Sequence, residues 1–202
     1  MKQKHDYLVT SLWYKEKIKD PFQVIAAAFS FADMTFYRKL VKRLLQTAHS
    51  EKVYSKDSPG NLLFDMKMLE SLINAAYLIV KQKHKSPLVI SASDIMNKNT
   101  YFGGRPGDEW DFLPHSLSKK EFSDPYLVFT RFFEHQPLDK WKKDLEEVLN
   151  YSLSNNAHDD VEIDFLSLYL YLNKIVEAAH LIDVREVIHI EGRLRNRFKS
   201  IH

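Results

Sequence analysis

The chain has 202 residues, 45% hydrophobic and 28% charged, which suits one large or two small globular domains with a substantial core. It has no cysteine, which excludes disulfides, thiolate metal sites and a cysteine nucleophile and fits a reducing, cytoplasmic setting. The net charge of +2 hides an asymmetry: residues 1–90 carry 15 Lys/Arg against 8 Asp/Glu, while residues 91–202 carry 14 against 19, so an anionic partner would favour the first half.

No apolar run reaches the ~20 residues of a membrane span, and no apolar core follows the opening Met-Lys-Gln-Lys-His-Asp as a signal peptide would require. Residues 6–18 read as a short amphipathic helix, with Tyr7, Leu8, Leu12 and Trp13 apolar. Asp20-Pro21 is a helix start, with a side-chain cap followed by a proline whose missing N–H had no partner to lose. The apolar row Phe22, Ile25, Phe29 continues to about Ala32, where Asp33 interrupts and recaps. A second helix spans about 34–48, with Leu40, Leu44 and Leu45 inward. Residues 51–60, containing Ser58-Pro59-Gly60, read as a turn. The helix of about 61–84 is the longest and most apolar, and Pro87 ends it. Leu88-Val89-Ile90 fits a short strand or buried coil.

Residues 91–115 form a linker whose segment Tyr101 to Phe112 is loop-like yet rich in aromatics, unlike a Gly/Ser spacer, so it is expected to pack on the helices. Ser118-x-x-Glu121 has the spacing of a capping box. Asp124-Pro125 begins a helix to about Glu134, and Pro137 and Asp139 lead into another over about 139–153. A long helix over about 161–182 follows, its start marked by Asp159, Asp160, Glu162 and Asp164, which suit a helix N-terminus. The remainder ends in the basic run Arg193 to Lys199.

This order reads as the same unit twice. Aligned without gaps at an offset of 104, residues 20–49 and 124–153 share 6 identities in 30, where chance gives roughly 2. Asp20-Pro21-Phe22 recurs as Asp124-Pro125-Tyr126, and Tyr37, Arg38 and Lys39 recur as Trp141, Lys142 and Lys143. The expected fold is therefore all-α: two tandem pseudo-repeats of three to four helices, with repeat 1 over 1–90, the inter-repeat loop over 91–115, and repeat 2 with its basic tail over 116–202.

Three patterns bear on chemistry. Arg38, Lys39, Lys42 and Arg43 have the spacing of one basic helix face, half of it replaced by Glu146 and Glu147 in the second unit; with Arg193, Arg195 and Arg197 it could grip phosphates. Glu177-x-x-His180 has the spacing used by di-iron helical bundles, although the aligned Asn74 and Tyr77 do not ligate in that way. Arg195 and Arg197, with six and four residues between each and His202, resemble the Arg-x(4–6)-His signature of HEPN ribonucleases, helical bundles in which Arg and His flank the scissile phosphate.

No Gly-rich phosphate loop, dinucleotide fingerprint or Gly-x-Ser-x-Gly elbow occurs, and no cofactor is implied. The expectation is a non-enzymatic binding or regulatory protein with a protein or nucleic-acid partner and no membrane association. Its contact residues are expected among the basic set above and the linker residues Tyr101, Arg105 and Trp110. The alternatives are a nucleic-acid-binding or HEPN-like RNA-processing protein, and a helical-bundle metalloprotein.

Overall fold

The computed structural model describes residues 9–10, 16–50, 52–83, 90–91, 94–95, 97–104, 107–154, 163–190 and 192–194, and among them the architecture is all-helical apart from two minimal hairpins. The helices are α1 (Pro21–Phe31), α2 (Met34–Ala48), α3 (Pro59–Lys81), α4 (Lys119–Ser123), α5 (Tyr126–His135), α6 (Leu138–Leu153) and α7 (Phe165–Arg185). Each boundary has a local cause. Asp20 caps α1 by accepting from the Phe22 amide at 2.9 Å, with Pro21 in the first turn, and Asp124, which ends α4, accepts from the Tyr126 amide at 3.1 Å just before α5, where Pro125 stands at the cap. Asp33 breaks the chain out of α1 and caps α2 by accepting from the Phe36 amide at 2.7 Å. Pro137 does the corresponding work between α5 and α6 without a side-chain cap. The Ser118–Glu121 pair forms the expected capping box at α4.

Three expectations need correction. The stretch 6–18 is not a helix where it is described: β1 (Val9–Thr10) pairs antiparallel with β2 (Glu16–Lys17), with Val9 opposite Lys17. Val9 and Thr10 are β-branched, and an isolated helix of that length is marginal in water. Ser58-Pro59-Gly60 is a helix start rather than part of a turn, with the Ser58 hydroxyl accepting from the Asn61 amide at 3.2 Å and Pro59 in the first turn. α7 runs on to Arg185, after which β3 (His189–Ile190) pairs with β4 (Arg193–Leu194). Leu88 and Val89 lie outside the described residues; Ile90 is coil.

α7 is the centre of the molecule, packing against α1, α2, α3 and α5. α1 packs on α3 and α7, and α5 packs on α7 and α3. Apolar side chains from both halves, among them Phe29, Leu72, Phe129 and Ile175, belong to one contiguous buried cluster. Each such side chain contributes about 1.5–3 kcal/mol on leaving water, so the two halves stabilise one another through a shared core. α6 is also tied to α2 and the segment after it through polar atoms: the Ser152 hydroxyl donates to the Leu44 carbonyl at 3.1 Å, and the Ser152 carbonyl accepts from the Tyr54 amide at 2.8 Å. No helix among the described residues is long and apolar enough to cross a membrane.

One contact recurs at matched positions. The Tyr37 hydroxyl reaches back from α2 to the Ala28 carbonyl of α1 at 3.0 Å, and the Trp141 indole Nε1 reaches back from α6 to the Phe132 carbonyl of α5 at 3.1 Å. Each carbonyl also accepts the amide four residues on, Ala32 at 3.1 Å and Gln136 at 3.5 Å. An aromatic donor thus fixes the angle of each helix–helix corner while its ring fills the core. Tyr37→Phe keeps the ring and removes the donor; Ala28 O stays bonded to Ala32, so the expected cost in urea unfolding is about 1 kcal/mol. Trp141→Phe also loses buried ring surface and is expected to cost more.

Candidate binding site

The inter-helix linker is held against α2 and α7 by charged side chains that grip its main chain. Glu177, in the middle of α7, is fully buried. It accepts from Arg38 Nε at 3.0 Å and Nη2 at 2.6 Å, from the His115 amide at 3.2 Å, from the Ser116 amide at 2.8 Å and from the Ser116 hydroxyl at 3.2 Å. Arg38 completes its fork by donating to the Asp111 carbonyl at 3.0 Å and the Leu113 carbonyl at 2.8 Å. One turn along α7, buried His180 sits 2.6 Å from the Tyr101 carbonyl; a carbonyl only accepts, so Nε2 carries the proton. The His180 ring lies between Phe29 and Phe112, at centroid distances of 5.4 and 5.8 Å. At the end of α7, Arg185 donates to the Thr100 carbonyl at 2.7 Å and the Phe122 carbonyl at 2.6 Å, with its guanidinium over the Phe122 ring. Burial pushes the Arg185 pKa down to about 10, still leaving it charged at neutral pH.

The linker also closes on itself. Lys98 and Glu109 pair at 2.8 Å, and Phe102 packs edge-on against Phe112 at 5.5 Å. Gly107 has φ +129°, which favours glycine, and a Cβ there would meet the Phe112 ring tightly at 3.2 Å. From this anchored loop Trp110 projects, 69% exposed.

The predicted site residues therefore separate. Arg38 does not share a solvent face with its neighbours: its guanidinium turns inward to Glu177, 139 residues away in sequence. Lys39 and Lys42 are exposed, and Arg43 is half-buried. Burial pushes the Asp65 carboxyl up, with nearby Arg43 pulling it down. Tyr101 contributes its carbonyl to the clasp, and Arg193 is exposed in β4. Arg105, Arg195, Arg197 and His202 lie outside the described residues. Glu177 and His180 are committed to the linker, and no group of three or more metal-ligating side chains occurs among the described residues.

A second cluster was not legible as a site. Glu121, buried beneath its capping box, accepts from the Ser118 amide at 2.8 Å, from Arg131 Nη1 at 2.9 Å, and from Lys174 Nζ at 3.0 Å on both oxygens. Burial alone would raise its pKa, but the Ser118 amide, Lys174 and Arg131 outweigh it and hold the group at about 2. Glu121, Arg131 and Lys174 line a cavity of about 260 Å³ with Val128, Leu170 and Tyr171. The Ser-x-x-Glu spacing announced the cap, but nothing in the sequence connects Glu121 to a lysine 53 residues on.

No protein-family model, curated protein or solved structure matches this chain.

Two predictions follow from the charges. Arg38→Gln strands a buried carboxylate, so the expected loss of stability is about 3–5 kcal/mol, with hydrogen-exchange protection falling first at the His115 and Ser116 amides. The depressed Glu121 pKa contributes stability that is present above 4.5, its ordinary value, and lost as pH falls through about 2. Glu121→Gln is expected to be less stable at neutral pH and to show a shallower loss between those limits in acid unfolding curves.

Proposed function

We propose that this chain is a non-catalytic binding protein that engages a protein partner through the clasped loop segment of residues 107–113, which carries Trp110. The observation that carries this reading is Trp110, a large apolar side chain left 69% exposed on a loop whose path is held by Arg38, Glu177, His180 and Arg185. A tryptophan in water forgoes its burial energy, and interface hot spots are enriched in tryptophan. A loop fixed in advance also avoids the ordering cost that a flexible one would meet on binding. Lys42 stands one helical turn from Arg38, and with Lys39 it supplies exposed positive charge on α2, the helix that packs against this loop. An acidic rim on the partner would complement it.

The same reading treats the scaffold as two tandem pseudo-repeats. It is supported by helices of 11, 15 and 23 residues in the first half against 10, 16 and 21 in the second. The aromatic corner hydrogen bonds at Tyr37 and Trp141, 104 positions apart, support it as well.

The test is affinity capture with the wild-type chain, Trp110→Ala and Lys39→Glu/Lys42→Glu as parallel baits. Trp110→Ala is expected to unfold at the wild-type urea concentration yet bind the partner about 30-fold more weakly, as the loss of a hot spot of about 2 kcal/mol requires. The lysine variant should weaken binding mainly at low salt. A partner whose affinity ignores Trp110 would remove this loop as the contact surface.

A further inference from the structure

The Glu121 cluster carries one charge more than it balances. Arg131 reaches Glu121 through Nη1 alone; among the described residues its Nε and Nη2 make no hydrogen bond, and the side chain is half exposed. Lys174 straddles both carboxylate oxygens at 3.0 Å. With Glu121 held ionised, the three side chains sum to one net positive charge at neutral pH. The remaining lining of the cavity is apolar or aromatic: Val128 from α5, and Leu170 and Tyr171 from α7. Leu170 is 46% exposed, so part of that wall faces water. Tyr171 is fixed by stacking on His135, with ring centroids 4.2 Å apart.

We infer that this cavity binds a small monocarboxylate carrying an apolar body. The carboxylate would take the unused edge of the Arg131 fork, whose planar donors match two oxygens, with Lys174 alongside. The body would cover Val128, Leu170 and the Tyr171 ring. Charge selects the class: a single negative charge neutralises the cluster, whereas a dianionic phosphate monoester would leave one negative charge in excess beside the Glu121 carboxylate. Size selects within it, because about 260 Å³ falls just below the ~300–1,000 Å³ of drug-sized pockets. This site is separate from the Trp110 loop, and neither reading depends on the other.

The experiment is an amide-resolved NMR titration of the full chain with 3-phenylpropionate. Saturable shifts are expected at Val128, Arg131, Leu170 and Lys174. Acetate lacks the body and 3-phenylpropionamide lacks the charge; each should bind at least about tenfold more weakly, the scale of one charge-assisted hydrogen bond or the buried ring. Arg131→Gln and Leu170→Asp alter half-exposed positions and should leave the wild-type spectrum elsewhere intact while abolishing the shifts. The inference is overturned if 3-phenylpropionate produces no localised saturable shifts. It is equally overturned if both variants bind like wild type, or if phenyl phosphate binds as tightly as the monocarboxylate.

Discussion

A single buried carboxylate organises this molecule. Glu177 lies at the middle of the central helix, where an unpaired charge would be prohibitively costly, and every group that satisfies it comes from somewhere else in the chain. Arg38 brings α2; His115 and Ser116 bring the far end of the linker. A buried ion pair of this kind adds little net stability over apolar packing, because desolvation offsets attraction. Its effect is on arrangement. Any packing of α2, α7 and the linker that fails to bring these groups together leaves a charge stranded, so competing arrangements are penalised more than the native one is favoured.

The aligned position in the first half has no such role. Asn74 stands on α3 where Glu177 stands on α7, and among the described residues its buried Oδ1 has no hydrogen-bond partner. Lys142, aligned with Arg38, instead acts on Glu70, whose carboxyl burial pushes upward and Lys142 pulls down. Two similar halves would, under the proposed duplication, have only one linker to hold. The side chains that hold it come from α2 and α7, and their aligned counterparts Lys142 and Asn74 have other surroundings, while the aromatic corner occurs at both aligned places. Under the proposed duplication, this is the pattern that separates residues kept for folding from residues acquired afterwards.

What the sequence disclosed follows the range of the forces involved. The helices were legible because their causes are local: apolar steps of three and four, Asp-Pro starts, the Ser118–Glu121 box, and the break at Asp33 and Pro137. The short hairpin at Val9–Lys17 was missed because apolar spacing over so few residues fits either state. The basic face was read correctly as a row of charges and wrongly as one surface, since the inward turn of Arg38 depends on a glutamate 139 residues away. The Glu121 cluster failed for the same reason. Its members lie 10 and 53 residues apart, on three different helices, and charge alone gives no hint of that convergence.

The clasp also separates where the loop runs from what the loop displays. Arg38, His180 and Arg185 hold carbonyl oxygens of Thr100, Tyr101, Asp111, Leu113 and Phe122, and Glu177 holds amides of His115 and Ser116. Main-chain groups are the same in every residue but proline, so outward side chains such as Trp110 can be exchanged without loosening the path. The helices act as a framework for the loop tip, and under the proposed binding role recognition could be rewritten there while folding is left alone. The same property makes the loop a natural place to graft a foreign binding sequence.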